Sequence, residues 1–444
     1  MPANPFHLGW FMNGYRVHGW QDTWIGTTAG RAMLPDFYVD FARQLERACF
    51  DYFIIEDSSF VPDAWQGKHD FYVENAYAVP KYDPSVLASI LTQNTSRLGI
   101  VATLAITEYP PYLLARLIST MDHVSQGRAG WNMVTASSDR AAQNYGHAAQ
   151  PDHDIRYEMA SEFTDLVWAL WDSWEPGSML VDQEGGIFAD PSKVHTVDFE
   201  GNYYKSRGPI NTARSPQGRS VIVQAGGSPA GRQYAATYAD SVIASASTVE
   251  GMKEYRDDVR ARMIAQGRKP DDCKVLFLVS PILGETEAEA LDKKARRLAE
   301  AAAHPEVRLA GMGYSNNIDF STYDLDVPIG ELAAAGKMIT NGHQSSLDAI
   351  VRANSGKTLR EFASSAMGGG GNRIELLGTP DTVAAKLDEI MQEVGGDGFL
   401  FSLDTLTRRS IAEMTEGLVP ALQRRGLTRR SYTYDQFRDN LLEY

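Results

Sequence analysis

Eight short runs rich in β-branched or aromatic residues recur along the chain: Phe6–Phe11, Tyr52–Glu56, Leu98–Thr103, Ala129–Val134, Ser220–Gln224, Ser241–Ser245, Val275–Leu283 and Gly398–Ser402. They are mostly continuous rather than alternating in polarity, the pattern of strands buried on both faces in a parallel sheet. Helical patterns lie between them. Phe37, Phe41, Leu45 and Ala48 share one face of a helix over Phe37–Cys49, which follows a Pro-Asp start. Further helices are predicted over Val86–Thr95 after Asp83-Pro84-Ser85, over Tyr112–Met121 after Pro110-Pro111, and over Met159–Trp171, Ala230–Tyr238, Thr248–Gln266 and Thr286–Ala303. The last, Thr382–Val394, opens at Thr379-Pro380-Asp381. A strand-helix unit repeated eight times predicts an α/β chain closed as a (β/α)8 TIM barrel.

The spacing is uneven. About 85 residues separate the fourth and fifth strands, and more than 100 separate the seventh and eighth. Loops this long are commonly functional lids or disordered segments. No composition shift marks a linker, so residues 1–444 read as one barrel domain with insertions at about 136–219 and 284–396. Within the second, Gly311–Asn317, Gly336–Ser346 and the glycine run at 368–372 read as loops. No repeat of roughly 20–50 residues is present.

Composition narrows the possible partners. The 42 basic residues against 57 acidic ones give a formal charge of −15, which repels phosphate backbones and anionic lipid. Neither nucleic acid nor a membrane is expected as a partner. The chain has no run of about 18 apolar residues that could span a bilayer, and its start lacks a basic, apolar leader. Cys49 and Cys273 are the only cysteines and show no metal or disulfide spacing. The expectation is a soluble cytoplasmic protein without a structural metal.

In a barrel the chemistry sits at the C-terminal strand ends. The first strand leads to Met12, Asn13, Gly14 and His18, the second to Glu56, Asp57 and Ser58, the third to Thr103, and the fourth to Asn132 and Thr135. The fifth runs into Gln224-Ala225-Gly226-Gly227-Ser228-Pro229-Ala230-Gly231-Arg232. A strand-turn-helix with free amides, a hydroxyl and Arg232 is the make-up of a phosphate cradle; it is equally that of an ordinary turn with a Ser cap. Asp57 is either a ligand or base, or a capped loop start. His153-Asp154-Ile155-Arg156-Tyr157 reads locally as a polar turn ahead of a helix. His18 and His343, each in a polar loop, read as surface histidines. No dinucleotide or P-loop glycine pattern, HExxH or GxSxG motif occurs.

Several stretches occur in a telling order: Arg-Ala-Gly-Trp-Asn-Met-Val-Thr (128–135), Asn-Tyr-Gly (144–146), His-Asp-Ile-Arg-Tyr (153–157), Asp-Pro-Ser-Lys-Val-His (190–195), Arg-Gly-Pro (207–209), Ser-Pro-Gln-Gly (215–218), Gln-Ala-Gly-Gly-Ser-Pro-Ala-Gly-Arg (224–232), Asp-Gly-Phe (397–399) and Val-Pro-Ala-Leu-Gln-Arg-Arg-Gly (419–426). With these the chain resembles, over nearly its whole length, the nitrilotriacetate, dibenzothiophene-sulfone and pristinamycin synthase branch of the bacterial-luciferase-like flavin monooxygenases. The resemblance implies reduced FMN at the barrel mouth, O2 as co-substrate, delivery of the flavin by a separate NADH-dependent flavin reductase, and a homodimer or homotetramer. It implies that Asp57, Thr103, Asn132 and Thr135 line the isoalloxazine, that His153 and Tyr157 lie close to it, and that Arg156 with Gly227 and Ser228 holds the phosphate. His18, Asn132 and His153 are the implied catalytic groups, and residues 311–317 and 368–372 belong to covering segments.

The chain departs from the branch in places. Ala136, not serine, follows Thr135, with Ser137 beyond it, and the opening reads His18-Gly19-Trp20-Gln21-Asp22. Gly14 or Tyr15 stands where the long-chain alkane member has a cysteine, and Ser315 where the sulfone member has a histidine. Aromatic residues crowd the first two strand-end loops: Phe11, Tyr15, Trp20, Trp24, Phe60, Trp65, Phe71, Tyr72 and Tyr77. With only Arg16, Arg31 and Lys68 as nearby cations, this points to an aromatic or heterocyclic small-molecule substrate rather than a polyanion. Three other readings compete: a deazaflavin-dependent oxidoreductase on the same fold, a barrel glycosidase using Glu56 or Asp57 with Glu108, and a flavin-binding homologue without a working pocket.

Overall fold

The computed structural model describes residues 5–13, 33–365, 373–403 and 406–444. Eight parallel strands close into a barrel: β1 (His7–Met12), β2 (Tyr52–Ile55), β3 (Gly99–Ala105), β4 (Ala129–Val134), β5 (Val221–Gln224), β6 (Ser241–Ala244), β7 (Lys274–Val279) and β8 (Gly398–Phe401). Closure joins β8 to β1, with His7 opposite Gly398 and Trp10 opposite Phe401. All eight apolar runs are strands of this barrel. The seventh is shorter than expected: Ser280 and Pro281 interrupt it, and Ile282–Leu283 pairs instead with Leu377–Gly378. Proline has no amide to donate to the ladder.

Each strand is apolar throughout because both its faces are buried. Tyr52, Ile54, Val101, Val221, Val223, Ile243, Leu276 and Leu400 fill the barrel interior, while Phe53, Ile55, Ala102 and Ile222 face the surrounding helices. The interior is stoppered at its N-terminal end by the short helix Phe437–Leu441, whose Phe437 and Leu441 are fully buried. Gly99 and Gly130 make room for it: a Cβ on Gly99 would stand 2.6 Å from the Phe437 ring. Below the stopper, Asp51 accepts from His7 Nδ1 at 2.8 Å and from Arg429 Nη2 at 2.9 Å. A cavity of about 500 Å3 also opens at this end, lined by Trp168, Tyr238 and four arginines. Asp172 and Asp240 take up three of those charges (Arg214, Arg219, Arg438), and Arg268 is spent on backbone carbonyls, so the cavity reads as structural.

Further elements differ from expectation. Beyond β4 and the short helix Asp139–Asn144, the helix expected from Met159 starts at His153 and runs to Asp172, so the His-Asp-Ile-Arg-Tyr stretch forms its first turn rather than a turn ahead of it. Residues 311–317 are not a loop: they close the helix Pro305–Asn316. Their glycines serve close packing, since a Cβ on Gly311 would collide with the Tyr77 hydroxyl. This helix joins Ile329–Ala334, Gln344–Asn354 and Leu359–Ser365 in a helical layer with its own apolar cluster, including Leu309, Phe320, Ile329, Leu347, Leu359 and Phe362. The segment 336–346 is loop up to His343 and helix beyond it. The glycine run at 368–372 lies outside the described residues.

Candidate functional site

The C-terminal ends of β2 to β5 bring most of the singled-out residues to one mouth. Thr103 and Asn132 are register partners on β3 and β4, and Asn132 Nδ2 donates to Thr103 Oγ1 at 2.9 Å. Both are 3% exposed, and Asn132 Oδ1 is buried with no partner. Thr135 follows β4 and is half-buried. Ala136 next to it is left-handed, at φ 54, a conformation that strains a side chain bearing a Cβ.

Starting the helix at His153 sets His153, Arg156 and Tyr157 at i, i+3 and i+4, on one face. The rings of His153 and Tyr157 lie 5.1 Å apart, and His153 Nδ1 pairs with Asp154 at 2.9 Å. The Tyr157 hydroxyl meets Gln224 Nε2 at 3.3 Å and packs against Gly231. Burial, opposed by the Arg156 charge and by hydrogen bonds with Ser228 and Gln224, raises its pKa, so it stays a neutral donor. Arg156 is 1% exposed; it donates to the carbonyls of Ala136 at 2.9 Å and Asn341 at 2.8 Å, tying the β4 loop to the late helical layer.

Past β5, Ser228 caps the helix Pro229–Tyr238 by accepting from the Gly231 amide at 3.1 Å. Gly231 has no room for a Cβ, which would stand 2.8 Å from both Tyr157 Oη and Gly226 Cα. Arg232 Nε donates to the Gly227 carbonyl of the turn at 3.2 Å, while its Nη1 is paired with Asp258 at 3.0 Å and the guanidinium lies over the Tyr255 ring at 4.5 Å.

The β2 end carries a dense charge cluster. Lys81 Nζ donates to Glu56 Oε2 at 2.8 Å and Ser58 Oγ at 2.6 Å, and lies 3.4 Å from the hydroxyl of Tyr314, which itself donates to Ser58 at 2.7 Å. Beside them burial pushes Asp57 up to about 7, helped by Glu56 and Glu108 and opposed by Lys81. Glu108 is raised as well, by burial.

Local sequence did not single out Lys81, Tyr314 or His343 for this mouth. His343, exposed as the sequence suggests, donates its Nδ1 proton to the Ser315 carbonyl at 2.8 Å. Nothing near His343 in sequence signals this, because its neighbours there come from other elements. His18 lies outside the described residues, as do Gly14, Tyr15, Arg16, Trp20, Trp24 and Arg31. Phe60, Trp65, Phe71, Tyr72 and Tyr77 pack against the helix Pro305–Asn316, with Tyr72 fully buried and donating to the Ala310 carbonyl. Their role is to seat the late layer on the β2 loop. Among the described residues no cluster of three or more His, Cys, Asp and Glu could hold a metal, and no helix is long and apolar enough to cross a membrane.

Known proteins share this architecture from end to end. The family model for luciferase-like monooxygenases matches residues 18–398. The dibenzothiophene-sulfone monooxygenase of Rhodococcus erythropolis (strain XP) is 34% identical over 98% of this chain and 96% of its own. Component A of the nitrilotriacetate monooxygenase of Aminobacter aminovorans is 32% identical over 99% of this chain and 97% of its own. The crystal structure of a riboflavin lyase with modified FMN and riboflavin superposes with a TM-score of 0.87 at 29% identity, covering 99% of this chain and 96% of that one. With a closed parallel barrel, a polar mouth on its C-terminal end and relatives that match along the whole chain, the protein belongs to the luciferase-like monooxygenase family.

Proposed function

We propose that this chain is the oxygenase of a two-component system, using reduced FMN and O2 to oxygenate a small organic substrate, the flavin being reduced by a separate NADH-dependent flavin reductase. One observation carries the reading: Asn132 Oδ1, Gln224 Oε1 and Arg156 Nε are buried polar atoms without a hydrogen-bond partner, gathered at one end of the barrel. Each such atom costs about 1–3 kcal/mol when left unmade. A flavin, with ring N–H and C=O groups at one end and a phosphate at the other, offers the complementary donors and acceptors, so the residues fit the group.

In this reading Asp57, Thr103, Asn132 and Thr135 line the isoalloxazine, His153 and Tyr157 stand beside it, and Arg156, Gly227 and Ser228 serve the phosphate. Bound reduced flavin supplies the electron pair that activates O2. The chain does the rest. Thr103 holds the Asn132 amide so that Oδ1 stays free to accept. Asp57, titrating near 7, can take up or release a proton at its carboxyl within the working pH range. His18 and His153 are the further groups assigned to the reacting atoms. The late layer, seated through Tyr72, Tyr314 and Arg156, keeps water from the mouth.

An aromatic or heterocyclic substrate remains the favoured class, on narrower grounds than before, because five of the aromatic side chains are occupied in packing. What supports it is charge: among the described residues at this mouth, Lys81 is bound to Glu56 and Arg140 to Asp63, and Arg156 is assigned to the phosphate in this reading. The glycosidase reading loses Glu56 to Lys81. A deazaflavin oxidoreductase would transfer hydride without inserting oxygen, unlike the monooxygenases that match this chain at about a third identity.

The test is an anaerobic titration of the purified protein with photoreduced FMN, followed by admission of oxygen and spectral recording. Saturable binding of reduced FMN and reoxidation with kinetics unlike those of free flavin are expected. Absence of FMN binding in both redox states would overturn the reading.

A further inference from the structure

The helix Gln344–Asn354 of the late layer begins without a side-chain cap. The backbone amides of Gln344 and Ser345 have no acceptor among the described residues, as the geometry of a helix start leaves its first amides unpaired. The same holds for Gly227, Ser228 and Ala230 in the turn that opens Pro229–Tyr238, where only Gly231 is capped. These two starts face each other. Ser345 Oγ lies 3.4 Å from where a Cβ of Gly227 would stand, a contact that glycine leaves open. Both helices are long enough, at 11 and 10 residues, to present a positive end.

A second observation points to a ligand. Arg156, 1% exposed, has Nε unpartnered, and its Nη2 donates to the carbonyl of Asn341, three residues ahead of Gln344. Its charge also acts on His343, the residue preceding the helix. The loop is held in shape from within: the Thr340 amide donates to Gln344 Oε1 at 2.7 Å, and the Gly342 amide donates to Thr340 Oγ1 at 2.9 Å. Two helix starts with free amides and a serine each therefore meet at Gly227, and the buried Arg156 is bonded to the loop that leads into one of them, a set of donors that suits a phosphate.

We propose that the start of the helix Gln344–Asn354, through Ser345 and its amide, completes the phosphate site whose other half is the Gly227–Ser228 turn. The late layer then does more than cover the mouth: it closes on the phosphate and grips it. This rests on the FMN reading above and adds a residue to it.

The test compares FMN with riboflavin, which lacks the phosphate, by fluorescence-monitored titration of the flavin-free protein. Ser345→Ala is expected to weaken FMN about tenfold, the loss of one hydrogen bond to a charged group, and to leave riboflavin unchanged. Ser345→Asp, which sets a like charge against the phosphate, is expected to weaken FMN about a hundredfold, again sparing riboflavin. Unchanged riboflavin affinity certifies the fold in both variants. An FMN-to-riboflavin ratio equal to that of the wild type in both would overturn this proposal and leave the FMN reading standing. A wild-type protein that binds neither flavin would overturn both.

Discussion

Replacing Asp57 by asparagine is expected to stabilise the flavin-free protein while weakening its hold on flavin. The carboxyl is pushed from an ordinary 3.8 to about 7 by burial, then by Glu56 and Glu108, against the pull of Lys81. A group whose folded pKa is raised contributes stability that is fully present below its unfolded pKa and lost as pH rises through the folded one. The folded protein is thus penalised for the charge it must accept, by about 1.5 kcal/mol at pH 5 and about 4 kcal/mol at pH 8. The asparagine amide cannot ionise and escapes this. For a chain of this length, 4 kcal/mol corresponds to roughly 4 °C in Tm. Calorimetry of wild type and Asp57→Asn from pH 5 to 8.5, both free of flavin, should show the variant's advantage growing with pH and levelling above 7. A difference in Tm that stays flat across this range, or shrinks, would refute the electrostatic account. FMN affinity should move the other way, since stability is given up at a site built to bind.

Three more outcomes follow from the packing. Phe437→Ala empties the lower end of the barrel and should cost about 3–5 kcal/mol, read as a lower denaturation midpoint with unchanged m-value. Asn132→Ala removes an amide whose Oδ1 has no partner in the flavin-free protein, so its FMN affinity should fall about tenfold while the midpoint moves by about 1 kcal/mol or less. Gly231→Ala places a Cβ 2.8 Å from Tyr157 Oη and Gly226 Cα, and titrations should show FMN weakened more than riboflavin, because the shift falls on the phosphate turn.

The barrel was legible in the amino-acid order alone. Strands buried on both faces are apolar at every position, so eight such runs stand out without any knowledge of their neighbours, and Asp83, Ser228, Thr248, Thr286 and Thr379 mark helix starts because capping is a bond within a few residues. The polar strand ends at Asp57, Asn132 and Gln224 were legible for the same reason. Local pattern was ambiguous wherever a side chain's partner is distant. Arg232 looked like a phosphate ligand beside its turn, yet Asp258 on the next helix holds it. The aromatic residues after β2 looked like a substrate wall, yet a helix more than 200 residues away covers them. Lys81 carries no local signal, and Tyr314, His343 and Ser345 are visible in sequence only as members of late-insertion segments, not as neighbours of this mouth. Glycines at 311 and 313 read as loop residues, yet in the structure they make room for close helix packing. Periodicity and capping are written in neighbouring residues; charge neutralisation, the seating of the late helical layer and the meeting of two helix starts at Gly227 depend on chain segments that only closure of the barrel brings within a few ångströms.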